Sequence, residues 1–288
     1  MRIALTGSSG ILGSSIKTHC DRSGVSCYAL KRADYGGGGS NSWLSKALLD
    51  NNISIFIHCA ANTNVEQCEE FPESCFHDNY HLTDRLGEIC RTLNIKFVFI
   101  SSTGIYGDLK NSPHSELDEL SPTTTHHKAK VLAENALHRG ISNCLIVRTG
   151  WLFGGDWNAP KNFVANRIRE AQAKPQFIKS DISQFGCPTY VIDVVNCIFL
   201  LLAHEHNGVF NCVNEGNASR YEYVDAIFTL ANLDVRLVGG DRTEFKRVAS
   251  VARNEMARND RLNQVGLNRM PNWRKSLGNY LELNKGNI

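Results

Sequence analysis

No stretch of the chain approaches the roughly 20 consecutive apolar residues that span a bilayer. The longest runs, such as Val194–Ala203 with Asn196 inside it, fall far short. A surplus of one charge is also lacking. Lys plus Arg number 31 against 29 Asp plus Glu, a formal net charge of +2, which provides no electrostatic footprint for nucleic acid or an anionic membrane. No secretory leader is read, because Gly7-Ser8-Ser9-Gly10 interrupts the N-terminal apolar stretch. The ten cysteines, from Cys20 to Cys212, include no C-x-x-C pair. Several lie in or beside apolar runs (Cys59, Cys144, Cys197) and read as reduced, mostly buried small hydrophobes. His and Cys form no paired ligand spacing, so no metal is expected. Together these absences predict a soluble, cytoplasmic protein with neither nucleic acid nor membrane as partner.

What is present is an ordinary globular composition, 42% hydrophobic and 21% charged over 288 residues, enough for one large or two modest domains. Short β-rich runs alternate with helical patterns through the first two-thirds: Arg2–Leu5, Val25–Leu30, Ile53–Ile57, Phe97–Ile100 and Cys144–Val147 as strands. A long helix is expected from Pro72 to about Leu93 and another from Pro122 to Arg139. Ser121 is placed to cap the latter, Pro122 suits its first turn, and Gly140 ends it. Gly36–Gly39 reads as a flexible loop. Such alternation predicts an α/β fold, a Rossmann-like doubly wound parallel sheet covered on both faces. Residues 1–150 would form the dinucleotide-binding domain and residues 151–288 a smaller substrate lobe. That lobe carries elements at Tyr190–Ala203, Tyr221–Ala231 and Pro271–Leu283, and the chain is positioned to return to the large sheet near Gly208–Val213.

The first strand runs into Gly7-Ser8-Ser9-Gly10-Ile11-Leu12-Gly13 and then a helix. Glycines spaced G-x-x-G-x-x-G permit a tight turn, close backbone approach to a pyrophosphate and tight helix–strand packing. The backbone around Ser9, Gly10, Ile11 and Leu12 would offer helix N-terminal N–H groups to the anion. The second strand ends in Lys31 and Arg32, with no carboxylate before Asp34. Two cations suit a ribose 2′-phosphate, so NADP(H) is expected rather than NAD(H).

With these features in place, the sequence resembles the extended short-chain dehydrogenase/reductase family, in its dTDP-4-dehydrorhamnose reductase branch. The matching segments, besides the glycine turn, are Cys59-Ala60-Ala61-Asn62-Thr63-Asn64-Val65-Glu66, Asn79, Ser101-Ser102-Thr103-Gly104-Ile105-Tyr106-Gly107 and Arg148-Thr149-Gly150-Trp151-Leu152-Phe153-Gly154. Gln184-Phe185-Gly186-Cys187-Pro188-Thr189 and Pro271-Asn272-Trp273-Arg274 complete the order along nearly the whole chain. The resemblance implies hydride transfer between a nicotinamide and a sugar carbonyl, with Ser102 and Thr103 at the hydroxyl position and Lys130 at the lysine of Y-x-x-x-K. It further implies cofactor contacts from Ala60, Ala61, Asn62, Asn79, Lys130 and Thr149, and substrate contacts from Tyr106, Trp151, Asn162 and Gln184. The family's acidic residue near the adenine is replaced within Gly36–Ser42.

The family tyrosine is missing. His126 stands four residues before Lys130, on the same helical face. An imidazolium can donate a proton, although a cation one turn away opposes its charge. Three outcomes are compatible with this replacement: His126 as the acid, transfer of that role to Tyr106 or a water, or loss of catalysis. The expected function is accordingly NADPH-dependent reduction of a nucleotide-linked 4-keto-deoxysugar in deoxysugar or polysaccharide biosynthesis. The rivals are a catalytically weak NADP-binding regulatory subunit, similar to the methionine adenosyltransferase beta subunit, and a nucleotide-sugar epimerase or dehydratase. The resemblance leaves a homodimer open.

Overall fold

A computed structural model describes residues 1–36, 40–140, 142–173 and 175–288. Strand β1 (Arg2–Thr6) leads through the glycine turn into helix α1 (Ile11–Ser23), followed by β2 (Ser26–Ala29), α2 (Arg32–Tyr35) and α3 (Asn41–Asp50). Then come β3 (Ile55–His58), α4 (Val65–Glu70), α5 (Pro72–Phe76), α6 (Leu82–Thr92), β4 (Lys96–Ser102), α7 (Thr125–Gly140) and β5 (Cys144–Thr149). The expected loop at Gly36–Gly39 falls, at positions 37–39, outside the described residues.

The remainder comprises β6 (Leu152–Phe153), α8 (Phe163–Gln172), β7 (Ile178–Asp181), β8 (Phe185–Gly186), β9 (Thr189–Tyr190) and α9 (Val191–Ala203). It ends with β10 (Gly208–Asn211), β11 (Ala218–Ser219), α10 (Arg220–Leu230), β12 (Leu237–Gly240), α11 (Asp260–Gln264) and α12 (Trp273–Leu283). Six strands form one sheet in the order β10-β5-β4-β3-β1-β2, every pairing parallel. From β1 the chain steps to β2 on one side and then to β3 on the other. The strand order therefore reverses between β1 and β3, where open α/β sheets form their ligand crevice.

The strands are apolar along their length because both faces are covered. Ile3, Leu5, Ile57 and Val98 face α1 and α9, packing on Ile16, Val194, Ile198 and Leu201. Ala4, Phe56, Phe97 and Phe99 face the other way, against Leu86 of α6 and Ala133 of α7. Two elements from beyond residue 150, α9 and β10, thus complete the first half's core, and β10 is the return strand expected near Gly208–Val213. A separate cluster of Phe153, Val164, Ile168, Tyr223, Ile227, Trp273 and Leu277 holds the C-terminal lobe together. Among the described residues no helix is long and apolar enough to cross a membrane, and all ten cysteines are free thiols.

Two helix expectations need correction. The Pro72–Leu93 helix is not uniformly α: His77–His81 forms a π turn between α5 and α6, and that turn holds Asn79 inward, buried. Helix α7 begins at Thr125 rather than Pro122. Ser121 N–H is spent on the carbonyls of Ile105 and Tyr106, while Thr124 Oγ1 accepts from His127 N at 3.2 Å. Thr125 itself is pinned by Glu69, which accepts from its N–H at 2.6 Å and its hydroxyl at 2.8 Å.

Candidate active site

Gly7 leaves β1 at φ +69°, and a Cβ there would fall 2.7 Å from Ala60 N; only glycine lets this turn rest on the loop after β3. At Gly13 a Cβ would fall 2.1 Å from the Gly7 carbonyl oxygen, so α1 packs directly on the turn. Gly10 differs. It precedes α1 without a side-chain cap, and an added Cβ would meet only the Gly7 oxygen, at 3.3 Å. The N-terminus of this 13-residue helix is therefore open to an anion beside exposed Ser9 and Gly10. Ile11 is half-buried, and Leu12 turns its side chain into the core, leaving only its backbone for such a role.

Lys31 and Arg32 are exposed after β2. The Arg32 guanidinium pairs with Asp78 of the π turn, which the sequence did not foretell. Ala60, Ala61 and Asn62 form the half-buried loop after β3. Asn79 holds this loop at two points: its Oδ1 accepts from Asn62 N at 2.9 Å, and its Nδ2 donates to Asn62 O at 3.0 Å. Asn79 is thus a clamp on the loop after β3 and not a surface residue.

Strand β4 ends at half-buried Ser102, whose Oγ accepts from Gly104 N and lies 3.2 Å from His127 Nε2. Lys130 is almost fully buried; its Nζ donates to Ile100 O at 2.9 Å and sits 4.5 Å from the Phe99 ring centroid. Burial pushes its pKa down to about 8. His126 is held by the loop after β3: its Nδ1 lies 2.8 Å from Asn62 O. A carbonyl only accepts, so Nδ1 carries the proton and Nε2 of the neutral ring is bare. Burial first, then the His127 and Lys130 charges, hold its pKa well below the usual histidine value.

Several polar atoms near these strand ends are buried without a partner among the described residues: Ser101 Oγ, Thr103 Oγ1, Thr149 Oγ1 and His58 Nε2. Thr103 Oγ1 lies against Gly150, where a Cβ would come within 2.2 Å of it. Cys68, Cys75 and His126 bring their donor atoms within 4.8 Å of one another. The space among them is taken by the Asn79 amide nitrogen, 3.2 Å from Cys75 Sγ and 3.4 Å from His126 Nδ1. Asn62 N fixes that amide's orientation, and its two N–H groups donate to Asn62 O and Cys75 Sγ, so protonated His126 Nδ1 is a neighbour of the amide and not its acceptor.

Two expected site residues belong to the framework. Tyr106 is fully buried; its hydroxyl donates to Asn211 Oδ1 at 2.7 Å and accepts from Arg148 Nη1 at 3.0 Å. Burial raises its pKa to about 12, and its hydroxyl is engaged as both donor and acceptor within the fold. Asn162 caps α8 through Ala165 N and donates to Tyr280 Oη at 2.7 Å and Asp156 O at 2.9 Å. Its amide is used up within the fold.

Trp151 adopts φ +46°, an uncommon conformation for a bulky residue. Its Nε1 donates to Glu255 Oε2 at 2.6 Å, and the Arg220 guanidinium lies 3.5 Å above its ring. Arg220 Nε reaches Gln184 Oε1 at 3.4 Å. Gln184 in turn lines a cavity of about 470 Å³ with Asp181, Arg242, Arg247 and Arg253. Glu66 Oε2 accepts from Val248 N and Ala249 N, at 2.7 and 2.8 Å, tying the rim of this cavity to α4. The arginines were missed in the sequence, although Arg242, Lys246, Arg247 and Arg253 within twelve positions were the available signal.

Comparison with known proteins places the chain in a family. The RmlD substrate binding domain family matches residues 1–285. The chain belongs to that family. Among RmlD relatives, the dTDP-4-dehydrorhamnose reductase of Mycolicibacterium smegmatis is 27% identical over 282 residues, covering 96% of this chain and 84% of the relative. The crystal structure of a dTDP-4-dehydrorhamnose reductase from Clostridium acetobutylicum superposes with a TM-score of 0.92 at 26% identity, covering 99% of this chain and all of that one. The Bacillus anthracis dTDP-4-dehydrorhamnose reductase, solved in complex with NADP, gives a TM-score of 0.91 at 24% identity over 98% of this chain and 99% of that one. Within this RmlD fold, Ser102, His126 and Lys130 occupy the carboxyl edge of β4 and the start of α7, next to the β1/β3 crevice.

Proposed function

We propose that this chain is an NADPH-dependent reductase of a nucleotide-linked 4-keto-deoxysugar. The observation that carries the reading is the meeting of the open glycine turn, Ser102 and Lys130 at one edge of a parallel sheet, with an arginine-lined cavity tied to α4 through Glu66. The open face of Gly10 and the α1 N-terminus fit a pyrophosphate, and Lys31 with Arg32 fit a 2′-phosphate. Ala60, Ala61, Asn62 and Thr149 line the path between that turn and Ser102, with Asn79 holding the loop. When bound, NADPH supplies the hydride. Lys130 would hold the adjacent ribose by charge-assisted hydrogen bonds. Ser102 would donate to the substrate carbonyl oxygen, where negative charge develops during reduction. Arg247 and Arg253, whose guanidinium groups have no ion-pair partner among the described residues, suit a nucleotide diphosphate, with Gln184 and the Trp151–Arg220 stack bounding the sugar. The likeness to the Mycolicibacterium smegmatis dTDP-4-dehydrorhamnose reductase supports this substrate class, and the NADP complex of the Bacillus anthracis protein supports the cofactor.

His126 is the proton donor in this reading, through Nε2 of its imidazolium. A second reading, an NADP-binding subunit with little turnover, is favoured by one observation: neutral His126 holds its proton on Nδ1 toward Asn62 and offers none at Nε2. One experiment separates the two. NADPH oxidation is followed across nucleotide-linked 4-keto sugars from pH 5 to 9, for wild type, His126→Phe and His126→Tyr. The reductase reading expects a rate that falls as pH rises through a pKa well below 6.5, and a loss of about 10²–10⁴-fold in His126→Phe. Turnover absent in wild type but gained in His126→Tyr establishes the weak subunit instead.

A further inference from the structure

His126 and His127 are neighbours in sequence, yet their rings stand 5.0 Å apart and 68° to each other, and they serve different partners. His126 is committed to the Asn62–Asn79 clamp. His127, nearly fully buried, is the histidine that touches Ser102. Its place depends on residue 104: a Cβ added there would fall 2.1 Å from His127 Cε1 and 2.3 Å from Nε2. The imidazole thus occupies the space a side chain at 104 would need.

Hydrogen-bond accounting fixes the ring's tautomer. Thr124 is fully buried. Its Oγ1 accepts from His127 N at 3.2 Å and lies 3.0 Å from His127 Nδ1. The Thr124 hydroxyl proton has no other acceptor among the described residues, so it is donated to Nδ1. Nδ1 is then an acceptor, and the neutral ring carries its proton on Nε2, 3.2 Å from Ser102 Oγ. Ser102 Oγ therefore accepts twice, from His127 Nε2–H and from Gly104 N–H at 3.2 Å. Both lone pairs are engaged, and its own proton is left for a third partner in the cleft.

We propose that His127 is a positioning residue that, together with Gly104, makes Ser102 a one-way hydrogen-bond donor to the substrate carbonyl oxygen. The identity of that oxygen rests on the reductase reading; the orientation of Ser102 does not. The ring stays neutral in this role. Burial lowers its pKa, Lys130 acts in the same sense, and the Glu69 and Glu255 carboxylates from α4 and the C-terminal lobe oppose the shift, while His126 adjoins it on α7.

Two measurements test the proposal. Two-bond ¹⁵N–¹H correlation spectra of the full chain at pH 7.5 should show His127 protonated on Nε2, with that nitrogen's shift moving in Ser102→Ala and the His126 signals unmoved. A His127 ring protonated on Nδ1 overturns the proposal whatever the substrate. In turnover, His127→Leu and Gly104→Ala should each lower kcat by about 10- to 100-fold with KM within about twofold, since an oriented donor acts mainly on the transition state. His127→Gln, which keeps an N–H, should recover most of that loss. In a Ser102→Ala background, His127→Leu should cost nothing further; a loss that persists in full there marks a merely structural role and overturns the proposal. If wild type reduces no keto-sugar, the reductase reading fails and the tautomer decides this one alone.

Discussion

Two buried polar clusters share α7 and strands β4 and β5, and they are built to opposite rules. In the first, Glu134 of α7 grips Arg148 of β5, with Nη2–Oε2 at 2.6 Å and Nε–Oε1 at 3.1 Å. Arg148 Nη1 donates to Tyr106 Oη and to Glu116 O, and Asn211 passes the network on to the carbonyls of His114 and Arg258. Among the described residues the second, around Ser102, has its cation without a carboxylate at ion-pair distance and several hydroxyls without a partner. Unmade hydrogen bonds in a dry interior cost free energy. A fold tolerates that cost where a ligand completes the bonds. The satisfied cluster is framework, and the unsatisfied one is the candidate site.

The largest expected effect strikes the first cluster. Glu134→Ala strands the buried Arg148 charge and should lower stability by about 3–5 kcal/mol in a denaturant titration. A loss under about 1 kcal/mol would mean the two clusters do not differ as described.

Lys130 should behave in the opposite way. Its folded pKa of about 8 lies below the unfolded value of about 10.4. The folded state therefore binds fewer protons between those values, and stability rises with pH through that window. The cost of burying the ammonium is present in full below about pH 8. Lys130→Met should be more stable than wild type at pH 7 by about 1–3 kcal/mol, while losing turnover and NADPH affinity. The stability gap should close by about pH 10.5, and a gap that is absent at pH 7 or independent of pH would place Lys130 with the framework.

The smallest effect belongs to the exposed Arg32–Asp78 pair. Arg32→Ala should reduce the preference for NADPH over NADH by about 1 kcal/mol, roughly fivefold, given solvent screening. Asp78→Asn should sharpen that preference by freeing the guanidinium. Titrations that leave the preference unchanged in both variants would assign the 2′-phosphate to Lys31 alone.

Much of the fold was legible because it follows from local rules. Apolar runs too short to span a membrane, alternating with helical periodicity, imply a parallel sheet covered on both faces. The G-x-x-G-x-x-G turn implies its own geometry, since only glycine fits at Gly7 and Gly13. The start of α7 was misjudged because Glu69, distant in sequence, holds Thr125. Tyr106 and Asn162 look functional in their motifs, and their partners Asn211 and Tyr280 lie more than 100 positions away. The arginine-lined cavity likewise gathers residues whose clustering carries no periodic signal.

By itself the sequence determined that a dinucleotide-type turn opens the chain and that Lys130 and His126 share a helical face, because glycine sterics and the 3.6-residue turn depend on adjacent residues alone. Which histidine would meet Ser102 was decided only by tertiary structure. Consecutive side chains on a helix point about 100° apart, so one of the two rings had to turn elsewhere. The choice fell to what surrounds them: the Asn62 carbonyl takes the Nδ1 proton of His126, while the missing side chain at Gly104 leaves room for His127 beside Ser102.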